Sequence, residues 1–284
     1  SGQRPGGTVT EPTTEAGQEA WRRLTSRPET ALLAFDFDGT LSPIVSDPEQ
    51  AYVHPDAVAV LGRLGARLGA IAIVTGRPVR TVLRLSGLDK AAIPGRLLVL
   101  GQYGVERWQS DTGRIDEPPP PEGIAAAREQ LPELLAEHGL SDAHVEDKGR
   151  ALGVHVRRLP DPAAAFDRLR EPLRRFADSH GLLLEPGRLV LELRGAGVDK
   201  GEAVRGLVDD VGAEVVVFGG DDLGDLPAYD AVDAMRSESD GPAGLLICPA
   251  STEQPILAAR ADLVVDGPEG LVAWLAELAD TLER

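Results

Sequence analysis

Short runs of almost wholly apolar residues recur along the chain, and they limit the possible folds more than any other feature. Residues 31–35, 70–74 and 215–218 form such runs, and each has the length of a strand rather than of a buried helix. Strands that are apolar on both faces are typical of parallel sheets covered by helices on both sides. Segments that fit helices, at 56–68 and 79–85, alternate with the runs. The sequence therefore predicts an α/β fold built on a parallel sheet.

This alternation is interrupted by a segment of different character. Four consecutive prolines at 118–121 form a stiff extended connector, and helices and adjacent antiparallel strands are predicted after them. The predicted elements are helices at 122–138 and 162–180 and strands at 143–148, 151–158, 182–184 and 189–194, the last pair turned by Pro186 and Gly187. The predicted parts of the chain are a flexible tail with a short helix at 1–28, a core at 29–108 and 195–284, and an inserted smaller α+β cap at 109–194.

Composition excludes several classes of protein. The 284 residues include 29 Lys and Arg against 46 Asp and Glu, a net charge of −17, which repels nucleic acid and anionic membrane surfaces. No run approaches the roughly 18 apolar residues of a membrane span. The one cysteine, Cys248, excludes a disulfide framework and a zinc site built on several thiolates. Without a signal-peptide pattern near residue 1, we expect a cytoplasmic protein.

A pair of carboxylates stands directly after the first apolar run. Asp36 and Asp38 flank Phe37 and precede Gly39 and Thr40, and open α/β sheets bind ligands at this end of their strands. Residues i and i+2 of a strand point to one face, where two carboxylates about 4 Å apart repel by about 4 kcal/mol at an effective dielectric constant of about 20. Such a pair requires a cation or a proton. We therefore predict a functional site here; the alternative is an acidic turn.

Three further groups follow later in the chain, and the predicted fold brings them to the same edge of the sheet. Thr75 and Gly76 follow the run at 70–74 and offer a hydroxyl and backbone N–H groups to an anion. Lys200 begins a helix, and a helix N-terminus is itself an anion site. A second acidic group follows the run at 215–218: Asp221, Asp222 and Asp225. Singly, each group is also typical of a turn or a solvated surface; their order favours one shared site.

In the order of these motifs, the sequence resembles the haloacid dehalogenase-like phosphatase superfamily. The resemblance implies a Rossmann-like parallel-sheet core and phosphoryl transfer through a covalent intermediate. It implies that Asp36 is the nucleophile and that Asp38 protonates the leaving alkoxide and then deprotonates water. It also implies Mg²⁺ as cofactor, held by Asp36, the main-chain oxygen of Asp38 and Asp221. The other implied roles are phosphate binding by Thr75, Gly76 and Lys200, and orientation of water or of Lys200 by Asp222 and Asp225.

The predicted strands of the cap carry polar residues on one face. A period of two places six polar side chains on one side of the sheet, namely those of Glu146, Lys148, His155, Arg157, Glu192 and Arg194. This pattern fits a solvated face with ion pairs between strands. It also fits a polar wall that closes over a polyhydroxylated ligand.

The spacing of these residues, with Lys200 and Gly201 behind them, is similar to that of the trehalose-6-phosphate phosphatases over roughly residues 30–280. The resemblance implies trehalose 6-phosphate as substrate and a mobile cap whose closure excludes water. It implies a trehalose-phosphate synthase as pathway neighbour, and we expect a monomer. The implied sugar contacts are Arg77, Gly104, Glu146, Lys148, Arg157 and Glu192.

The chain departs from the usual pattern of that family at several positions. Tyr103 stands in place of a histidine, Ala151 in place of a serine and Val156 in place of a tyrosine, while Gly224 and Leu226 replace a threonine and a glutamate. None of these changes removes a group that the implied chemistry needs. Two alternatives stay open: a phosphatase of another sugar phosphate, such as sucrose phosphate or mannosyl-3-phosphoglycerate, and a catalytically silent module that binds a sugar phosphate.

Overall fold

The computed structural model describes residues 10–250 and 255–284. The strands are β1 (Ala31–Phe35), β2 (Ala70–Val74), β3 (Leu97–Gly101), β4 (Glu106–Gln109), β5 (Ile115–Asp116), β6 (His144–Asp147), β7 (Ala151–His155), β8 (Leu182–Gly187), β9 (Val190–Gly195), β10 (Val215–Gly219), β11 (Ala243–Ala250) and β12 (Leu263–Asp266). The helices are α1 (Glu15–Ser26), α2 (Ala57–Gly65), α3 (Val79–Ser86), α4 (Ile124–Glu137), α5 (Pro162–Ser179), α6 (Lys200–Val211), α7 (Leu226–Arg236), α8 (Pro255–Arg260) and α9 (Gly267–Leu282). Across the described ranges, no helix is both long and apolar enough to cross a membrane.

Eight strands form the larger sheet, in the order β12-β11-β10-β1-β2-β3-β4-β5. The first six of these are parallel, and β1 lies between β10 and β2 with Leu32 opposite both Val216 and Ala70. Every residue of β1 and β2 is buried, because helices cover both faces of the sheet. The predicted parallel-sheet α/β fold is therefore confirmed, and the predicted bounds 31–35 and 70–74 agree with β1 and β2.

The helices pack on the sheet in two layers. One face buries the apolar sides of α1, α2, α3 and α9, and the other buries those of α6, α7 and α8. The first layer includes α1, whose Trp21 ring lies 5.8 Å from that of Trp274 in α9. The tail predicted to be flexible falls mainly in residues 1–9, outside the described part of the chain.

The large sheet continues past the third parallel strand as an antiparallel extension that the sequence did not predict. β3 pairs with β4, and β4 with β5, so the sheet reaches Asp116, beyond the proposed core boundary at 108. In β4 the burial of Trp108 alternates with partial exposure of Arg107, and four residues are too few for that period to be recognised. The division into core and cap remains a proposal, and the strands place its first boundary nearer to the prolines at 118–121.

A second, four-stranded antiparallel sheet has the order β6-β7-β9-β8. Its apolar face packs on α4 and α5, where Leu169 and Leu173 are fully buried against Leu152 and Leu191. Burying one leucine side chain contributes about 2 kcal/mol, so this face holds the helices in place. The opposite face carries polar side chains, as the alternating pattern predicted, and it is turned toward the carboxyl edge of the large sheet.

The turn between β8 and β9 lies two residues later than predicted. Pro186 and Gly187 pair with Leu191 and Val190 within the ladder, and the turn falls at Arg188 and Leu189. Because β8 is an edge strand, a proline there can lack an N–H without breaking a hydrogen bond of the sheet. The prediction of a Pro186–Gly187 turn was therefore wrong, and the correct turn directs Arg188 toward the large sheet.

Candidate active site

A cavity lies between the carboxyl edge of the large sheet and the polar face of the smaller one. Its lining from the large-sheet side includes Asp36, Asp38, Thr75, Gly76, Arg77, Tyr103, Lys200 and Asp222. Its lining from the smaller sheet and adjoining turns includes Glu146, Lys148, His155, Arg157, Glu185, Arg188 and Glu192. The structure thus brings most of the predicted site residues to one cavity. The exceptions are Gly104, Asp221 and Asp225, which lie outside its lining.

The floor of the cavity holds a buried lysine between two carboxylates. Lys200 Nζ donates to Asp36 Oδ1 at 2.9 Å and to Asp225 Oδ1 at 2.8 Å. Asp36 continues from β1, and Lys200 is the first residue of α6, whose start is capped by Asp199 accepting from the Glu202 N–H at 2.8 Å. The end of a strand and a capped helix start therefore bring these groups together from distant parts of the chain.

Burial and mutual charge shift the titration of this cluster. Burial and the charge of Asp225 raise the pKa of Asp36 to about 8, against the opposing charge of Lys200. Burial alone would lower the pKa of Lys200, but Asp225 and Asp36 raise it above its ordinary value. Lys200 is consequently a permanent cation, and the cluster favours additional positive charge near Asp36.

The second carboxylate of the first motif is held by an arginine. Arg77 Nε and Nη2 donate to the two oxygens of Asp38, each at 2.8 Å, and Nη2 also donates to Pro48 O at 2.9 Å. Paired N–H donors on one carboxylate fix both its position and its plane. Arg77 lines the cavity as predicted, but its principal partner is Asp38, and Glu146 Oε1 lies 3.8 Å from its Nη1.

Asp221 lies beside the cluster and pairs with a cation from the smaller sheet. Its carboxylate is buried, its Oδ2 forms an ion pair with Arg188 Nη2, and its Oδ1 accepts no hydrogen bond from the described residues. Burial raises the pKa of Asp221 to about 6, although Arg188 opposes the shift. At Gly39, where φ is +76°, a Cβ atom would come within 2.5 Å of Arg188 Nη1 and 3.1 Å of Asp221 Oδ1. The glycine therefore leaves room for the Arg188 guanidinium beside this carboxylate.

These donors fit the predicted magnesium site. Carboxylate oxygens of Asp36 and Asp221 and a main-chain oxygen of Asp38 are hard ligands, and Mg²⁺ commonly uses few protein ligands and several waters. Within the described ranges, no three Asp, Glu, His or Cys side chains group as metal ligands, and this set requires only two. The buried Oδ1 of Asp221, which has no hydrogen-bond partner among the described residues, is the observation that supports the fit.

The loop after β10 is held by reciprocal capping. Asp222 Oδ1 accepts from the Gly224 N–H at 2.8 Å, while Asp225 Oδ2 accepts from the Asp222 N–H at 3.0 Å. Asp222 Oδ2 also accepts from the Arg188 N–H at 2.7 Å. Asp225 therefore reaches Lys200 from a rigid loop, as expected for a residue that orients the lysine, and Asp222 faces the cavity.

The loop after β2 supplies the predicted phosphate-binding group. Thr75 is buried, and its hydroxyl accepts from the Arg77 N–H at 3.1 Å. Its own N–H donates to Leu100 O at 3.0 Å, which ties the loop to β3. Thr75 and Gly76 lie on the same side of the cavity as Asp36 and Lys200, which is the arrangement the phosphate-binding prediction requires.

The polar face of the smaller sheet contributes a connected set of charges. Lys148 Nζ donates to Glu192 Oε2 at 2.8 Å and to Gly76 O at 3.1 Å. Glu146 Oε2 lies 3.0 Å from His155 Nε2. Gly153 is paired with Glu146 on one side and Glu192 on the other, so the row between the two carboxylates has no side chain. Beside this row lies the His155 ring, whose Nε2 is 3.3 Å from the position that a Cβ atom at Gly153 would take.

Gly104 is not among the residues that line the cavity, and its implied sugar contact stays a prediction. A Cβ atom at Gly104 would lie 2.9 Å from that of Ala203 in α6, because the residue packs against the helix instead of lining the cavity. Its neighbour Tyr103 lines the cavity, and its hydroxyl donates to Glu192 Oε2 at 2.9 Å. The sequence analysis also missed Arg188, for which a correct placement of the β8–β9 turn was the available signal.

Comparison with known proteins identifies related chains. A family profile described as trehalose-phosphatase matches residues 34–254. The trehalose-phosphate phosphatase of Mycobacterium tuberculosis is 32% identical over 260 residues, which cover 88% of this chain and 60% of that protein. A protein of the same organism named uncharacterized glycosyl hydrolase is 35% identical over 222 residues, 74% of this chain and 16% of that protein. The chain thus spans less than two thirds of the length of these curated relatives.

Solved structures share the architecture. The C-terminal domain of C. albicans trehalose-6-phosphate phosphatase has a TM-score of 0.73 to this chain at 19% identity, covering 96% of this chain and 99% of that one. At this identity the likeness shows the fold. The predicted fold class, a parallel-sheet α/β core with a smaller added α+β unit, is confirmed.

Proposed function

Because the chain belongs to the trehalose-phosphatase family, we propose that it hydrolyses trehalose 6-phosphate to trehalose and inorganic phosphate. The observation that carries the proposal is the position of Asp36. Its carboxylate is held by Lys200 Nζ at 2.9 Å on the floor of a cavity whose opposite wall carries Glu146, Lys148 and Glu192. A phosphate ester of a polyhydroxylated sugar matches both sides of this cavity.

In the proposed reaction an oxygen of Asp36 attacks phosphorus, and the bond between phosphorus and the sugar oxygen breaks. Asp38, as the acid, gives its proton to that oxygen. It then takes a proton from a water molecule that attacks the aspartyl phosphate, which releases phosphate and restores Asp36. Arg77 holds the Asp38 carboxylate by two hydrogen bonds, which fix the position and plane of the group that takes the proton from water.

Residues of the core are proposed to balance the negative charge of the transferred phosphoryl group. Lys200 and the hydroxyl and backbone of Thr75 and Gly76 are proposed to contact the phosphoryl oxygens. Asp36, the main-chain oxygen of Asp38 and Asp221 are proposed to hold Mg²⁺, which when bound neutralises negative charge on the carboxylates and the phosphoryl group. Asp225 keeps Lys200 in place, and Asp222 holds the loop.

The cap residues are proposed to select the sugar. Carboxylates accept hydrogen bonds from sugar hydroxyls, while the Lys148 ammonium and the Arg157 guanidinium donate them. Arg77 lies near enough to Glu146 to contact the same ligand. The closed contact between Lys148 Nζ and Gly76 O supports a cap that excludes water during transfer. A monomeric state, a cytoplasmic location and a synthase as pathway neighbour stay predictions.

The proposal is tested by phosphate release from a panel of sugar phosphates with Mg²⁺ and after chelation. We expect trehalose 6-phosphate to be hydrolysed fastest and chelation to abolish release. Faster hydrolysis of sucrose phosphate or mannosyl-3-phosphoglycerate overturns the trehalose assignment but keeps the phosphatase. Binding of sugar phosphates without any release identifies a silent binding module instead.

A further inference from the structure

Two consecutive residues between β3 and β4 adopt an uncommon backbone conformation. Gln102 has φ 51° and Tyr103 has φ 62° and ψ 21°, the left-handed region that bulky residues rarely enter. The strain is held by hydrogen bonds from the Gln102 N–H to Arg77 O and from the Tyr103 N–H to Thr75 O, both at 2.9 Å. Strained positions that the surrounding structure enforces often have a functional purpose.

The strained turn delivers the Tyr103 ring between the core and the cap. Any Cβ atom at Gly76 would come within 2.9 Å of the ring, so the two residues fit only because one is glycine. On its other side the ring lies 4.4 Å from the guanidinium carbon of Arg194 in β9, a cation–π distance. Core and cap therefore meet through this ring.

At the tip of the ring, the hydroxyl holds one oxygen of Glu192. Oε2 accepts from Tyr103 at 2.9 Å and from Lys148 Nζ at 2.8 Å. The other oxygen, Oε1, is buried and has no hydrogen-bond partner among the described residues, although Glu192 lines the cavity. With one oxygen fixed by two donors, the carboxylate plane is set, and Oε1 is left to accept from a ligand hydroxyl.

A second contact of the same turn reinforces this arrangement. Gln102 Nε2 donates to Lys148 O at 2.7 Å, so the strained pair contacts both members of the Lys148–Glu192 ion pair. Burial and the nearby charge of Glu192 raise the pKa of Tyr103 well above its ordinary value. The phenol is consequently a constant donor at working pH.

We propose that Tyr103 is a positioning residue that sets the Glu192 carboxylate for a sugar hydroxyl and does so only while the cap contacts the core. The proposal rests on the proposed function, since it assumes that a sugar phosphate occupies the cavity. Tyr103 acts through Glu192 rather than on the phosphorus. Its loss should therefore affect esters whose sugar reaches the cap and spare small esters that do not.

The test compares Tyr103→Phe with the wild-type protein on trehalose 6-phosphate and on p-nitrophenyl phosphate. Loss of one hydrogen bond to a charged group corresponds to about a tenfold fall in kcat/KM, which we expect for trehalose 6-phosphate, mainly in KM. Hydrolysis of p-nitrophenyl phosphate should stay within about twofold, which also shows that the variant is folded. Tyr52→Phe, at an exposed tyrosine, is the matched control and should change neither substrate.

A double-mutant cycle then distinguishes positioning from a general structural effect. Glu192→Gln should show the same selective loss, and adding Tyr103→Phe to it should cause little further change. Additive losses, equal losses on both substrates, or no loss in Tyr103→Phe overturn the inference. The wild-type protein by itself tests the proposed function. If it releases phosphate from p-nitrophenyl phosphate but from no sugar phosphate, the proposed function is wrong.

Discussion

The two halves of the cavity are built on different kinds of sheet. In the core half, Asp36 and Asp225 follow the parallel strands β1 and β10 and Lys200 begins α6, so the three are separated in the chain and meet only in the folded structure. Groups of the cap half stand on antiparallel strands, so Glu146 and Lys148 are two residues apart on one face. Phosphoryl transfer and selection of the sugar are therefore expected to depend on different residues. Substitutions around Asp36 and Lys200 should affect all phosphate esters, whereas substitutions of the cap residues should affect only esters of sugars.

The halves also differ in how their charges are balanced. In the core half, Asp36 and Asp225 share Lys200, while Asp221 pairs with Arg188 from the cap. In the cap half, by contrast, each carboxylate has a partner of its own, Lys148 for Glu192 and His155 for Glu146. Excess buried negative charge favours binding of a further cation. Removal of Mg²⁺ should therefore disturb the core half far more than the cap half.

The largest effect is expected from Asp36→Asn. An amide oxygen is a poor nucleophile, so kcat should fall by at least about a thousandfold for every ester tested. Binding of trehalose 6-phosphate, measured by calorimetry, should be retained because the cap half is unchanged. An Asp36→Asn variant that still turns over substrate at near the wild-type rate would place the nucleophile elsewhere.

Lys200→Met should cause the next largest change, and in stability as well as in activity. It leaves the buried carboxylates of Asp36 and Asp225 without their shared cation, a loss of about 3–5 kcal/mol. Urea unfolding monitored by circular dichroism measures this difference at neutral pH. The matched control is Lys90→Met, at an exposed lysine, which should leave stability unchanged. Equal stability of the two variants contradicts the ion-pair account.

Lys148→Met tests the separation of the halves from the cap side. Its ammonium contacts Glu192 and Gly76 O, so its loss should lower kcat/KM for trehalose 6-phosphate by roughly ten- to a hundredfold. The rate with p-nitrophenyl phosphate should change little. Comparable losses with both esters would show that the cap half takes part in the chemistry.

The smallest effect concerns the pH dependence of stability through Glu146. Burial alone would raise its pKa, but His155, Lys148 and Arg77 bring the pKa down to about 2. A group with a lowered pKa stabilises the fold fully above its ordinary value of 4.5 and loses that contribution as pH falls toward 2. The free-energy difference between wild type and Glu146→Gln should therefore shrink from pH 6 to about pH 3. A constant difference contradicts the ion-pair origin of the shift.

Most of the strands and their polar or apolar faces could be predicted from the sequence. β1 and β2 were predicted to the residue because wholly apolar runs end abruptly at polar ones, and the polar face of the cap followed from a period of two. Pairings between side chains could not be predicted. Arg77 lies 39 positions from Asp38. Its hydrogen bonds to Asp38 depend on how the loops after β1 and β2 approach each other in the folded structure.

Two local features could not be predicted from the sequence. The first is the left-handed conformation of Tyr103, which brings its side chain into the cavity lining next to Gly104. The second is the β8–β9 turn, which was predicted at Pro186 and Gly187, the usual turn residues, although an edge strand accepts both. That two-residue error concealed Arg188, whose contact with Asp221 depends on the turn.

The most direct test of the account is chemical trapping of the phosphorylated enzyme. Protein mixed briefly with trehalose 6-phosphate and Mg²⁺ is quenched with borohydride, which reduces an aspartyl phosphate to homoserine, and peptide mass spectrometry locates the homoserine in the chain. The account predicts homoserine at position 36 and none without substrate. Modification at another carboxylate, or steady release of phosphate with no modification at position 36, would contradict it.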